Sequence, residues 1–164
     1  MLLPDAELLA RELAQRLKPY LTDRSALVGI HTGGAWLAEK IHPLLDRGMP
    51  MGTLDVSFYR DDYGRAGLHA DVEPSDIPFD VEGRHIILLD DVLYTGRSVR
   101  AAMNELFDYG RPASIMLAVL VDRGGRELPI AAEVAGVTLP LAPHQNLQLD
   151  RDANGLFSFS LREK

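Results

Sequence analysis

Asp90 and Asp91 are adjacent carboxylates, and Thr95, Gly96 and Ser98 follow them closely in the segment Arg84-His85-Ile86-Ile87-Leu88-Leu89-Asp90-Asp91-Val92-Leu93-Tyr94-Thr95-Gly96-Arg97-Ser98-Val99-Arg100. A small polar loop that opens a helix offers backbone N–H groups, hydroxyls and the positive end of the helix dipole to an anion. Two carboxylates would repel that anion unless they face something else, such as the hydroxyls of a sugar or a Mg²⁺ ion. Taken alone, either aspartate reads as a helix cap or a solvated turn residue. Together with the loop, they read as a phosphate cradle beside a pair of carboxylates.

Such groups need elements to hold them. Ile86 to Leu89 are four consecutive aliphatic residues, as in a strand buried on both faces of a parallel sheet. Ligands of such sheets bind beyond the carboxyl ends of the strands, which is where Asp90 and Asp91 are expected. Val99, Ala102, Met103, Leu106 and Phe107 continue at helical spacing until Gly110 and Pro112. Upstream, Leu9, Leu13 and Leu17 predict an amphipathic helix ending near Lys18-Pro19. Ala26 to Ile30 predicts a buried strand that stops at His31-Thr32-Gly33-Gly34, before a helix with Leu37, Ile41, Leu44 and Leu45 on one face and Gly48 as its stop. Strand, glycine turn and helix form a second anion-binding geometry, here without the lysine of a P-loop.

Leu54 to Tyr59 predicts a further strand, and Arg60 to Pro78 a long excursion of the kind that often forms a functional lid. Ile115 to Val121 and Glu133 to Val137 predict two more strands. Asn146 to Ser160 alternates like an edge hairpin, with Leu147 and Leu149 before Asn154-Gly155 and Leu156, Phe157 and Phe159 after it. Strands alternating with helices give an α/β sheet with right-handed crossovers.

Composition bounds the function classes. The 164 residues suit one domain spanning 1–164, and 46% apolar with 25% charged residues is ordinary for a soluble globular protein. There is no cysteine, so disulfides and thiol catalysis are excluded. The five histidines are scattered without metal-ligand spacing. No stretch approaches the roughly 20 apolar residues of a membrane helix, and no signal peptide is evident; a cytoplasmic location is expected. The net charge of −7 disfavours non-specific nucleic-acid binding.

The segment Ile86 to Ser98 resembles the signature of type I phosphoribosyltransferases, which use phosphoribosyl pyrophosphate (PRPP). Its longer form, Asp-Asp-Val-Leu-Tyr-Thr-Gly-Arg-Ser, is similar to that of the PyrR family of pyrimidine-operon regulators, many of which also have uracil phosphoribosyltransferase activity. The likeness extends to Leu54-Asp55-Val56-Ser57-Phe58-Tyr59-Arg60-Asp61-Asp62, to Gly110-Arg111-Pro112-Ala113-Ser114, and to Leu117 through Gly124 with Arg126-Glu127-Leu128-Pro129-Ile130. The fold implied is the type I phosphoribosyltransferase fold: a central, mostly parallel sheet flanked by helices, with a small hood and a mobile loop.

The resemblance implies roles for individual residues. Thr95, Gly96, Arg97 and Ser98 would hold the 5′-phosphate of PRPP or of a nucleotide, with Val92, Leu93 and Tyr94 in the same binding segment. Asp90 and Asp91 would take the ribose hydroxyls, near a Mg²⁺ ion carried by PRPP rather than bound directly by the protein. Thr32 and Gly33 would form the pyrophosphate loop, and Arg60 would open the mobile loop. Asp122, Arg123, Val137 and Leu139 would form the hood over the base. The implied reaction joins N1 of uracil to C1 of PRPP, giving UMP and pyrophosphate, with no residue assigned as general base. Tyr94 stands where purine enzymes of this type carry an acidic base, which argues against a purine. UMP or UTP would act as effector, and a homodimer or homotetramer is implied.

The pattern departs from the family in three places, one of them the tail after Leu141, where Ala142-Pro143-His144-Gln145 gives little match. Thr32-Gly33-Gly34 stands where well-known active members read Thr-Arg-Gly, and a charged partner of this kind is worth about 1.5–3 kcal/mol. Weak turnover, or a nucleotide-sensing regulator with little catalysis, is the corresponding expectation. Gly125, Ala131 and Val137 fall where RNA-binding members carry histidine, arginine and lysine, and Glu12 and Gln15 where they carry threonine and histidine. Leader-RNA binding is therefore expected to be weaker than in those members, although Arg111, Arg123 and Arg126 remain.

Overall fold

The computed structural model describes residues 1–57 and 74–164. The apolar runs become strands of one parallel sheet: β1 (Ser25–Ile30), β2 (Met51–Leu54), β3 (His85–Leu93), β4 (Ser114–Asp122) and β5 (Val134–Thr138), in the order β2-β1-β3-β4-β5. β3 lies at the centre, paired with β1 from Ser25↔His85 to Gly29↔Leu89 and with β4 from His85↔Ser114 to Leu93↔Asp122. Alternation sorts its side chains between two cores, as the period-two geometry of a strand requires. Ile87 and Leu89 join Leu27 and the buried faces of the first two helices, α1 (Ala6–Leu17) and α2 (Gly33–Leu45); Ile86 and Leu88 join Val28, Ile30 and the buried face of the third helix, α3 (Arg97–Tyr109). The central run is thus covered on both sides. No helix among the described residues is long and apolar enough to cross a membrane.

The helices begin and end for local reasons. Asp5 caps α1 by accepting the Leu8 N–H at 3.2 Å, and Leu9, Leu13 and Leu17 are buried as their spacing requires. Gly96 precedes α3 at φ +94°, in the left-handed region, and Gly110 ends it. Gly34 explains how closely α2 approaches the sheet, because a Cβ there would overlap the Leu89 carbonyl oxygen. The first turn of α2 is therefore drawn against the carboxyl ends of β1 and β3.

Three local expectations change. β2 covers Met51–Leu54 and ends where the expected strand, Leu54 to Tyr59, was to begin; residues 58 and 59 lie outside the described residues. Beyond Leu54 the Asp55 carboxylate accepts the N–H and the hydroxyl of Ser57, and the Asp55 N–H turns to Ser75 Oγ at 3.0 Å, which takes the chain out of the ladder. Leu44 and Phe107, placed on buried faces by spacing, are 43% and 56% exposed. The tail does form a hairpin, β6 (Gln145–Arg151) and β7 (Phe157–Glu163), but as a separate two-stranded sheet rather than at the edge of the central one.

That hairpin is fastened to α1 and α2. Leu147, Leu149 and Phe157 enter the core on their side of the sheet. Glu7 accepts the Phe157 N–H and pairs with Lys40 at 2.7 Å, while Lys40 also donates to the Gly155 carbonyl and stands 4.2 Å from the Phe157 ring centre. Arg151 pairs with Glu39 at 3.1 Å and lies over Trp36. Position 60 and the rest of residues 58–73 fall outside the described residues, so the expectation for Arg60 does too.

Candidate active site

β1 stops pairing with β3 at Leu89, whereas β4 continues alongside to Leu93. Asp90 and Asp91 therefore sit within the last turnings of β3, past the end of one neighbour and still held by the other. Asp90 is 5% exposed and accepts the Asp91 N–H at 2.9 Å; Asp91 in turn accepts the Val92 N–H at 2.9 Å. These bonds fix the direction of both carboxylates. Gly33 lies beside them, and a Cβ on it would overlap the Asp91 carboxylate.

The polar loop follows at once. Thr95 Oγ1 accepts the Arg97 N–H at 3.2 Å, and the Thr95 carbonyl accepts the N–H groups of Glu127 and Leu128. α3 has no side-chain cap on Gly96, so apart from the Arg97 N–H its first turn keeps the donors that a helix start offers to an anion. Ser98 and Val99 face the same space as Thr95 and Gly96. The Arg97 guanidinium turns the other way, to Glu127 at 3.0 Å on the surface.

Across from the loop stands Arg123, 3% exposed. Its guanidinium lies 3.9 Å from the centre of the Tyr94 ring and donates to the carbonyls of Gln145 and Ala142, at 2.8 and 2.9 Å. Nε has no hydrogen-bond partner. Burial lowers the Arg123 pKa from the ordinary arginine range, against the opposing influence of Tyr94. Asp122 is committed elsewhere, with both oxygens on Arg126 at 2.9 and 2.7 Å and one also on the Gly124 N–H. Burial by itself would raise the Asp122 carboxyl, but the bonds from Arg126 and Gly124 and the charge of Arg126 outweigh it and hold it below the ordinary carboxylate range.

These groups surround one cavity of about 240 Å³. It holds two carboxylates, a helix start with hydroxyls, an aromatic ring and buried positive charge. That combination can bind a phosphorylated sugar by its hydroxyls and its phosphate at once, with a flat group beside the ring.

The phosphoribosyl transferase domain model matches residues 3–152. The bifunctional protein PyrR of Nitrosococcus oceani is 55% identical over 143 residues, covering 86% of this chain and 81% of that protein. The bifunctional protein PyrR of Pseudomonas savastanoi pv. phaseolicola is 52% identical over 153 residues, covering 91% and 90%. The chain belongs to the PyrR family of phosphoribosyltransferases. Among solved structures, the fold is similar to a hypoxanthine-guanine phosphoribosyltransferase of Bacillus anthracis, with TM-score 0.65 and 17% identity over 82% of this chain and 79% of that one. A hypoxanthine phosphoribosyltransferase of Staphylococcus aureus gives TM-score 0.63 and 22% identity over 83% and 74%. At these identities the likeness speaks for the fold alone.

Within this chain, the segment from Asp90 to Gly96 and Ser98, together with Arg123, lines the cavity. Thr32 is exposed at the start of α2, and Gly33 reaches the site through its contact with Asp91. Val137 and Leu139 do not line that cavity; both pack against the core under α1 and α2, with the Leu139 N–H on the Asp122 carbonyl. The wall opposite the loop comes instead from the open end of the tail hairpin, through Asn146, Leu147 and Lys164. Pairing of Gln145 with Glu163 brings these chain-distant residues together. The Asn154-Gly155 turn announced the hairpin; nothing local announced where it docks.

Proposed function

We propose that the chain transfers the 5-phosphoribosyl group of PRPP to N1 of uracil, releasing pyrophosphate and giving UMP, and that it regulates pyrimidine genes in response to the nucleotide it binds. The observation carrying this reading is the shared cavity of Asp90, Asp91, the Thr95–Ser98 loop and the Tyr94–Arg123 pair. The bifunctional PyrR names of relatives at 50–55% identity agree with it.

Each group then has a role set by its chemistry. The α3 start and the hydroxyls of Thr95 and Ser98 hold the 5′-phosphate, and Asp90 and Asp91 accept from the ribose hydroxyls. Positioning of this kind supplies most of the rate in a glycosyl transfer that passes through an oxocarbenium-like state. No group of three or more metal-ligating side chains occurs among the described residues. In this reading Mg²⁺ arrives on the substrate's oxygens, with Asp90 and Asp91 as its nearby carboxylates; when bound, it would offset the charge of the leaving pyrophosphate. A cytoplasmic, self-associating protein of one domain completes the proposal.

A specific observation favours a second reading. Gly33 brings no side chain to the pyrophosphate end and lies against Asp91; a nucleotide-sensing regulator with weak turnover is consistent with that. Leader RNA fits less well. Gly125 sits at φ +79° and a Cβ on it would overlap the Tyr94 ring, so a larger side chain there would have to move the ring. The deciding experiment measures UMP formation from uracil and PRPP with Mg²⁺, with orotate and hypoxanthine alongside. Turnover with uracil only is expected. Nucleotide binding without turnover at micromolar protein would overturn the enzymatic reading and leave the sensor.

A further inference from the structure

The first turn of α2 brings no cation to the diphosphate that the uracil-transfer reading puts beside it. The helix opens with Gly33-Gly34-Ala35, Thr32 makes no side-chain cap, and Gly33 lies against the Asp91 carboxylate. A diphosphate next to a carboxylate needs a positive partner, here from another element. Two cations of the described residues lie where α2 meets the tail hairpin. Lys40 is committed to Glu7, the Gly155 carbonyl and the Phe157 ring. Arg151 is held less firmly. Its ion pair with Glu39, at 3.1 Å, joins side chains that are 36% and 59% exposed, and pairs this open to water are weak.

The other contact of Arg151 sets its direction. Its guanidinium lies 4.6 Å from the centre of the Trp36 ring. Trp36 belongs to the first turn of α2, with its N–H on the Thr32 carbonyl at 3.2 Å. Helical side chains tilt toward the N-terminus of their helix, so this ring lies over the turn that begins at Thr32. Glu39 comes three residues later, on the same face and further from the helix start. Arg151 therefore stands between an exposed carboxylate and the open end of α2. We infer that Arg151 leaves Glu39 when PRPP binds and places its guanidinium on the diphosphate, so that a tail residue supplies the cation that position 33 does not. This rests on the uracil-transfer reading, in which pyrophosphate departs at the start of α2. The shift needed is about one helical pitch, 5 Å, which rotation of a long side chain covers. Guanidinium and diphosphate make paired, charge-assisted bonds, stronger than the exposed ion pair given up for them. The arrangement also keeps Gly33 small beside Asp91, which a side chain at 33 would displace. The seat of Arg151 is made by Trp36 and Glu39, apart from the contacts of Lys40.

Calorimetric titration in the presence of Mg²⁺ compares PRPP, ribose 5-phosphate and UMP in the wild type, Arg151→Gln, Arg151→Lys and Glu39→Gln. The wild type is expected to bind PRPP more tightly than ribose 5-phosphate, which lacks the diphosphate. Arg151→Gln is expected to lose about tenfold in PRPP affinity and nothing for UMP, with Arg151→Lys recovering part of the loss. Glu39→Gln is the deciding variant. It breaks the same ion pair yet frees the arginine, so PRPP affinity is expected to hold or rise. Thermal unfolding is expected to show the same small loss in Arg151→Gln and Glu39→Gln, since both lack the pair. If Arg151 only fastens the hairpin, the two variants weaken PRPP binding alike. That result, an unaltered Arg151→Gln, or equal losses for PRPP and UMP would overturn the inference, while a wild-type preference for PRPP would keep the uracil-transfer reading. A wild type that does not distinguish PRPP from ribose 5-phosphate would overturn both.

Discussion

Gly33 and Asp91 occupy each other's space: a Cβ on the glycine would overlap the aspartate carboxylate. The first turn of α2 and the end of β3 are thereby coupled through one side chain. Asp91 is already oriented by its bond from the Val92 N–H, so a larger residue at 33 acts on the carboxylate end of the cavity as well as on the first turn of α2. An arginine at this position would bring a charged donor, and it would also have to turn Asp91 aside.

The coupling predicts a non-additive double-mutant cycle. Gly33→Ala is expected to weaken PRPP binding several-fold by displacing the carboxylate. In an Asp91→Ala background the same change is expected to cost almost nothing further, because the group it collides with is gone. Calorimetric titration of PRPP into the four proteins measures it. Additive losses would show that Gly33 acts without Asp91.

Asp90→Asn and Thr95→Ala are expected to harm binding more than folding. Thr95→Ala removes one hydrogen bond to the Arg97 N–H, worth about 1 kcal/mol of stability. The same change removes a hydroxyl from the phosphate loop, and a loss of about tenfold or more in UMP affinity is expected. Thermal unfolding and nucleotide titration on the same samples compare the two; equal losses in both would contradict the assignment of the loop.

Much of this arrangement is legible because its parts are contiguous. Ile86 to Leu89 are apolar on both faces and Asp90 to Ser98 follow without a gap, so strand, carboxylates and loop come as one block. Helix spacing around Leu9, Leu13 and Leu17 is equally direct. Leu44 and Phe107 mislead because spacing says which residues share a face, not how much of that face is covered. The tail wall of the cavity is illegible for a related reason. Glu7, Glu39, Lys40 and Arg151, the residues that dock the hairpin, look in sequence like any solvated surface charges. Their pairing across distant elements, with the burial of Leu147, Leu149 and Phe157, brings Asn146, Leu147 and Lys164 to Tyr94 and Arg123.

Acid stability should carry the mark of Asp122. Its folded carboxyl titrates below the unfolded value of about 3.9, so its contribution is present above that value and is lost as pH falls through the folded one. Asp122→Asn is expected to be less stable than the wild type by roughly 1 kcal/mol near neutral pH. The gap should stay level down to about pH 5 and close below about pH 4. Urea unfolding of both proteins between pH 7 and pH 3 tests this, and a gap that widens on acidification would contradict the depressed carboxyl.

The last prediction concerns a residue remote from the reaction. Lys40 joins Glu7, the Gly155 carbonyl and the Phe157 ring, and so ties the hairpin to α1 and α2. Its partners are only partly exposed, and Lys40→Met is expected to cost about 1–2 kcal/mol of stability. Leu147, Leu149 and Phe157 remain buried in the core, so the hairpin should loosen without leaving. The open end of the hairpin supplies Asn146 and Lys164 to the cavity wall, whereas the Thr95–Ser98 loop joins β3 to α3. Lys40→Met should therefore raise the KM for the pyrimidine by several-fold and leave the KM for PRPP near the wild-type value. Steady-state kinetics with each substrate varied in turn separates the two constants. An equal rise in both would mean that the hairpin supports the whole site rather than its base end.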